Sequence, residues 1–254
     1  MNNSESKIEW GKMNKWELEQ RSEFVDLAIL PIGSVEQHGP HLPLSTDTYN
    51  AESIVKEAVK QLDSEKPPIL PTLPYGVSQH NMSFPGTVSI ESGLQEKLII
   101  QIGRSIIHHG FLKMYIFCGH DGSFPAVKNA ARKLKEETGM KIIFDSFDLL
   151  APEKEKHIKS DNDVHAGEFE TSITLSVKEE LVDERTIPKK EHEFSDPKLE
   201  FDHESGLNYA WSTHDISETG VIGDASEASK ELGSKMRKSA IEKVKGRLET
   251  IIDL

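Results

Sequence analysis

The sequence has little cysteine: a single residue, Cys118, among 254. One thiol excludes an intramolecular disulfide framework, and it excludes any zinc site that is built from several thiolates. A metal site in this chain must therefore use histidine and carboxylate side chains as its ligands.

Long apolar runs are also missing. No segment reaches the roughly 18 consecutive apolar residues that a membrane-spanning helix needs. The first ten residues read Met-Asn-Asn-Ser-Glu-Ser-Lys-Ile-Glu-Trp and lack the basic start and apolar stretch of a secretory signal. We therefore expect a soluble, cytoplasmic protein that does not bind membranes.

Positive charge is scarce. The 30 Lys and Arg residues are outnumbered by 43 Asp and Glu residues, which gives a formal net charge of -13. Nucleic acid and anionic lipid surfaces are both recognised by basic patches. The charge balance disfavours both partners and leaves a small-molecule substrate as the expected one.

Short apolar runs, which predict strands, alternate along the sequence with segments whose apolar residues have helical spacing. Strands that alternate with helices predict an α/β fold, a three-layer α/β/α sandwich with a mostly parallel sheet, in one domain over residues 1–254. We expect Thr46 or Asp47, and later Ser123, to cap helices. The predicted strands are 24–32, 69–73, 87–90, 114–118 and 141–147, and the predicted helices are 14–21, 47–62, 91–109, 123–139, 166–181 and 226–254.

Ligand-type residues follow the first predicted strand. In open α/β sheets a site lies at the carboxyl ends of the strands. Glu36 and His38 are two residues apart there, so in an extended chain they share one face. Asp47 begins the next helix, where the intervening loop can fold it back toward the same point.

Two later segments repeat this arrangement. His120 and Asp121 follow the strand 114–118, and His165, Glu168 and Glu170 lie within six residues of each other. Imidazole together with carboxylates suits Zn²⁺, Mn²⁺ or Fe²⁺, and a carboxylate such as Asp47 can bridge two ions. A site with one or two divalent ions is therefore predicted.

Each histidine taken alone has a simpler interpretation, because a histidine after a strand most often hydrogen-bonds to backbone. Three strand ends that each carry histidine or carboxylate favour a functional site. His41, His108 and His109 keep the simpler interpretation. Ser78 and His80, in a glycine-containing loop that could line a pocket, are candidate substrate contacts, and so is Asp121.

The motifs together resemble the creatininase family of amidohydrolases over most of the chain. Residues 33–43 read Gly-Ser-Val-Glu-Gln-His-Gly-Pro-His-Leu-Pro, with Thr-Asp at 46–47. Residues 165–172 read His-Ala-Gly-Glu-Phe-Glu-Thr-Ser. The loop 75–87, the turn 119–122 and the late loop 220–224 are similar to further family motifs.

This resemblance implies an α/β/α sandwich in a homo-oligomer, often a hexamer, with a binuclear metal centre in the best-known members. It implies that Glu36, His38, Asp47 and His120 are ligands, with Asp47 as the bridge. His165 and Glu170 would stand over the substrate or complete the shell of the second ion.

Two positions depart from the creatinine-hydrolysing members. Those members carry a glutamate ligand where this chain has Gly122, and a substrate-stacking tryptophan before the His-Ala-Gly motif, where residues 160–163 read Ser-Asp-Asn-Asp. The departures disfavour creatinine as the substrate. They also make Glu170 the best candidate for the missing carboxylate ligand.

The sequence therefore predicts hydrolysis of a small cyclic amide, a formamide or a related C–N bond by a metal-activated water. His165 would protonate the leaving nitrogen, and Glu168 or Glu170 would orient His165 or accept the water proton. Three alternatives stay open: hydrolysis of an oxidised cyclic polyol, a metal-dependent isomerase or lyase, and a non-catalytic binding protein.

Overall fold

The computed structural model describes residues 7–160, 162–188 and 209–254. Within these ranges the sheet has three parallel strands in the order β1 (Leu27–Ile32), β2 (Lys113–Cys118) and β3 (Lys141–Ser146). β1 and β2 are buried along their whole length, whereas β3 is partly exposed. Parallel neighbours need a crossover connection, and helices supply each one.

The helices lie between and after the strands. None of those within the described ranges is both long and apolar enough to cross a bilayer. Short 3-10 helices occupy several of the connections. The helices are α1 (Lys15–Ser22), α2 (Thr46–Lys60), α3 (Ser92–His108), α4 (Phe124–Thr138), α5 (Ala151–His157), α6 (Glu168–Lys178) and α7 (Lys230–Ile252).

The two faces of the sheet are covered by different helices, because successive side chains of a strand point to opposite faces. In β1, Leu27 and Ile29 pack with α2, α6 and α7. Ala28, Leu30 and Ile32 pack with α3 and α4 on the other face. The predicted three-layer α/β/α sandwich with a parallel sheet is therefore confirmed.

The two short predicted strands are not regular strands. The segment 69–73 runs parallel to β1 through two isolated bridges only, at Ile69 and Leu73. Pro71 lies between them and has no N–H to continue the ladder. The segment 87–90 has no strand structure, since Val88 donates to Val35 and Ile90 donates to Gly76, both in loops.

The sequence predicted that side chains cap the N-termini of α2 and α4, and this prediction was wrong for the hydrogen bonds at both helices. α2 begins at Thr46 with Ser45 in the cap position and no capping side chain. Thr46 instead donates to the Pro43 carbonyl, and Asp47 turns its carboxylate toward histidines. Ser123 does occupy the cap position of α4, but its hydroxyl accepts from the Val77 N–H.

The contact between α6 and α7 gives a test of the packing. A Cβ added at Gly233 in α7 would lie 1.7 Å from the Ser172 carbonyl oxygen in α6, so the helices must separate. We expect Gly233→Ala to lower the free energy of unfolding by about 1–3 kcal/mol. Equilibrium urea denaturation measures the change.

Gly246 in the same helix is the matched control. Nothing lies within 4 Å of a Cβ built there, so Gly246→Ala should raise the free energy of unfolding by up to about 1 kcal/mol through helix propensity. Equal destabilisation by both substitutions would contradict the close contact between the helices.

Candidate metal centre

The site forms where β1 and β2 end at the same edge of the sheet. Two glycines allow the segments around it to approach closely. A Cβ at Gly33 would lie 2.5 Å from the Thr48 Cα, and one at Gly119 would lie 2.9 Å from the Asp47 carbonyl oxygen. The start of α2 therefore packs directly against both strand ends, which brings Asp47 beside His120.

The Asp47 carboxylate lies between two buried histidines. Its Oδ1 is 3.1 Å from His38 Nε2, and its Oδ2 is 3.1 Å from His120 Nδ1. The Ser34 hydroxyl donates to Oδ2 at 2.8 Å and fixes the orientation of the carboxylate. Each oxygen of the carboxylate thus faces a different imidazole.

Glu36 lies at the centre of the cluster. Its Oε1 is 3.4 Å from His120 Nδ1, 3.8 Å from His165 Nδ1 and 3.9 Å from His38 Nε2. The other oxygen, Oε2, is buried and has no hydrogen-bond partner within the described residues. A buried carboxylate oxygen without a donor is costly, and a cation at this point would satisfy it.

His165 and Glu170 come from the third segment. The backbone of Ala166 adopts a left-handed conformation with φ of 51°, and its N–H donates to Glu170 Oε2 at 2.5 Å. That oxygen lies 3.8 Å from His38 Nε2 and 3.9 Å from His165 Nδ1. His165 itself is held by backbone pairing with Ile222 in the late loop.

The three histidines are oriented by backbone carbonyls. On the side away from the centre, His38 Nδ1 faces the Glu36 carbonyl at 3.2 Å, and His120 Nε2 faces that of Val77 at 3.1 Å. His165 Nε2 faces the Gln37 carbonyl at 2.8 Å. A carbonyl only accepts, so each outer nitrogen carries a hydrogen, and the inner nitrogen is the one that a metal ion would bind once any proton on it has left.

These side chains form three overlapping groups whose ligand atoms lie within 4.8 Å of each other. Asp47 belongs to two of them, and so does His38. The mixture of imidazole and carboxylate donors fits Zn²⁺, Mn²⁺ or Fe²⁺. The groups are Glu36, Asp47 and His120; His38, Asp47 and Glu170; and Glu36, His38 and His165.

The pKa values of two histidines in the metal-free chain also indicate a cation site. Burial opposes protonation of His38, but the charge and hydrogen bond of Asp47 raise its pKa to about 10. Burial likewise opposes protonation of His120, and the Glu36 and Asp47 carboxylates raise its pKa to about 10. The carboxylates therefore create a strongly negative potential that a divalent cation would neutralise.

In the third segment, the pKa shifts of Glu170 and His165 both favour the neutral form of the side chain. Burial raises the pKa of Glu170 to about 7 against the opposing charge of His38. Burial, together with the charge of His38, lowers the pKa of His165 to about 4. His165 is thus a neutral imidazole at physiological pH.

A cavity of about 460 Å³ opens over the cluster, within the usual range for small-molecule sites. His80 and Asp121, two of the predicted substrate contacts, line it. The His80 ring stacks on His120 at 5.9 Å and meets the edge of Trp211 at 5.6 Å. Cavity-lining residues that the sequence patterns did not single out are Phe147, Lys154, Asp163, Phe169, Tyr209 and Trp211.

Two predicted site residues lie away from the cavity. Ser78 is buried behind His120, with its hydroxyl 3.2 Å from Nε2. The Glu168 carboxylate accepts the backbone N–H groups of Lys159 at 2.7 Å and Ser160 at 2.8 Å. It therefore holds a loop, and neither residue is among those that line the cavity.

Position 122 has no room for the glutamate ligand that the family resemblance implies there. A Cβ at Gly122 would lie 2.4 Å from the Val77 carbonyl oxygen and 2.7 Å from His120 Nε2. The carboxylate of Glu170 reaches the cluster from α6 instead. His41, which kept the simpler interpretation, hydrogen-bonds to Thr171 at 2.8 Å and does not line the cavity.

Several known proteins are similar to this chain in sequence, and solved structures are similar to it in fold. The mycofactocin precursor peptide peptidase of Mycolicibacterium smegmatis is 31% identical over 85% of this chain and 82% of that protein. The 3-dehydro-scyllo-inosose hydrolase of Thermotoga maritima is 25% identical over 86% of this chain and 75% of that protein. A crystal structure of creatinine amidohydrolase superposes with a TM-score of 0.80 at 21% identity, over 96% of this chain and 98% of that one.

The sequence model of one family, creatininase, described as creatinine amidohydrolase, matches residues 11–247. That match spans all three strands and every segment that contributes to the histidine–carboxylate cluster. The chain therefore belongs to the creatininase family of hydrolases.

Proposed function

We propose that this protein is a metal-dependent hydrolase of an amide C–N bond. The observation that supports the proposal best is Asp47, whose two oxygens lie between two buried histidines with Glu36 and Glu170 beside them. Such a cluster costs free energy in a folded protein unless cations occupy it.

In this proposal Glu36, Asp47 and His120 hold one ion, and His38, Asp47 and Glu170 hold a second. Structurally similar creatininases have been solved in a zinc–zinc form and a manganese form. A bound divalent ion would supply an acidified water and polarise the substrate carbonyl. The chain's residues must then position the substrate and move protons.

His165 is the proposed proton carrier. Its Nε2 hydrogen is committed to the Gln37 carbonyl, so Nδ1, which faces the carboxylates, is the atom that can accept and return a proton. Burial and the charge of His38 lower its pKa, so His165 is neutral in the metal-free chain and the lone pair of Nδ1 is free. Glu168 has no catalytic role in this proposal, because its carboxylate accepts backbone N–H groups outside the cavity.

The relatives indicate which substrate classes to test first. The relative with 31% identity is a peptidase, which supports an amide in a peptide. A relative with 26% identity is a creatinine amidohydrolase, which supports an amide in a small cyclic compound. The inosose hydrolase at 25% identity supports oxidised cyclic polyols as a second class.

Metal analysis and a substrate screen in ¹⁸O-labelled water test the proposal. We expect at least one divalent ion per chain, and turnover of a cyclic amide, formamide or short peptide with one labelled oxygen in the acid product. Turnover without label would indicate an isomerase or lyase. A chain that binds no divalent ion would contradict the proposal.

Asp47→Asn should lower the metal content and reduce turnover at least about a hundredfold, because the neutral amide cannot bridge two cations and the metal centre supplies several kcal/mol of the rate. Metal analysis and steady-state kinetics check this. Asp253→Asn, an exposed change at the end of α7, is the control. Normal metal content in Asp47→Asn would exclude the bridge.

Glu170→Gln should remove about one ion per chain from a binuclear centre, since an amide is a poor ligand for a borderline cation. Glu168→Gln, in the same helix, should leave the metal content intact because its remaining oxygen still accepts the loop N–H groups. The metal-to-protein ratio of the two variants decides this. A lowered rate with unchanged metal content in Glu170→Gln would make it an acid–base residue.

Metal binding should release protons. The pKa values of about 10 mean that His38 and His120 are protonated at pH 8 in the metal-free chain, and a cation needs their lone pairs. We expect release of more than one proton per chain, and a metal affinity that falls as the pH falls. Calorimetric titration in two buffers of different ionisation enthalpy measures this. Equal heats in both buffers would exclude protonated ligands.

A further inference from the structure

Lys154, on α5, is the one Lys or Arg among the described residues that line the cavity. The titratable groups around the cavity are otherwise carboxylates, histidines and Tyr209. A single cationic side chain in an acidic cavity either pairs with a carboxylate of the protein or binds a ligand. The contacts of Lys154 show which of these two roles it has.

The Lys154 ammonium rests on an aromatic ring. Its Nζ lies 4.4 Å from the centroid of Phe169, which is 3% exposed and held edge-on by Phe147 at 5.4 Å. A ring face attracts a cation and orients it without neutralising its charge. Within the described residues Lys154 has no ion pair inside 4.0 Å, although five carboxylates line the same cavity, among them Asp121 and Asp163.

Asp163, one of the neighbouring carboxylates, has other hydrogen-bond partners. Burial raises the pKa of Asp121 and of Asp163, and the charge of Lys154 opposes both rises without forming an ion pair. Both oxygens of Asp163 accept backbone N–H groups at the start of α6, from Glu168 at 2.6 Å and from Phe169 at 3.1 Å. Glu153, the preceding residue in α5, binds Lys243 of α7 at 2.9 Å. The charge of Lys154 therefore stays available to a molecule that enters the cavity.

We propose that Lys154 binds a carboxylate of the substrate, so that the hydrolysed amide belongs to an N-acyl amino acid or a peptide with a free carboxyl group near the scissile bond. This inference rests on the proposed amide hydrolysis and narrows its substrate class. A carboxylate is repelled by Asp121 and Asp163, and Lys154 is the group that offsets this repulsion. An uncharged cyclic amide would make no use of Lys154.

Paired ligands without a scissile C–N bond test the proposal by binding alone, independently of turnover. 4-Oxopentanoate and hexane-2,5-dione carry a ketone in place of the amide and differ in the carboxylate, and calorimetry on the metal-loaded full chain gives both affinities. We expect the wild type to prefer the acid and Lys154→Met to weaken acid binding about ten- to hundredfold, the range of a charge-assisted hydrogen bond. Binding of the dione should not change.

Two control variants complete the test. Lys154→Arg keeps the charge and should retain most of the preference, and Lys156→Met removes an exposed charge from the same helix and should have no effect. If Lys154→Met keeps the wild-type preference, the carboxylate binds elsewhere and the proposal is wrong. A wild type without acid preference would also overturn it, whereas failure of amide turnover alone would count only against the proposed function.

Discussion

The Asp47 carboxylate between His38 and His120 is the interaction on which the rest of the site depends. It joins the loop after β1 to the turn after β2, and it does so from the first turn of α2. The sheet order supports this arrangement, because β1 and β2 are parallel neighbours and end side by side. The cations of the proposed metal centre would offset the cost of burying these charges.

The third segment completes the cluster from a different layer. Glu170 projects from the first turn of α6, and the left-handed backbone at Ala166 turns the chain so that His165 and Glu170 face the same point. This geometry explains how a chain with glycine at position 122 retains a third carboxylate. The same helix start carries Phe169, on which Lys154 rests, so one element serves both the proposed metal centre and the proposed substrate contact.

Part of the cavity wall comes from residues outside the histidine–carboxylate cluster. Trp211 and His80 form an aromatic edge, and Lys154 supplies a positive charge. These residues come from distant parts of the sequence and none belongs to a ligand motif. The homo-oligomer that the family resemblance implies stays a prediction, as do the identity and number of the metal ions.

The sequence by itself determined the layers and the ligand segments. Alternating strands and helices predicted the sandwich, and histidines with carboxylates after β1 and β2 marked two segments of the cluster, because both are encoded in local pattern and parallel strands end at one edge. The third segment, with His165 and Glu170, follows α5 and not a strand, so its place beside the other two came from tertiary packing. Tertiary structure alone decided what each side chain does. Glu168 and Glu170 are two residues apart in one motif, yet the direction of α6 sends one to a loop and the other to the cluster. Lys154 and Trp211 became cavity residues only through packing, since contacts between distant segments leave no periodic signal in the chain.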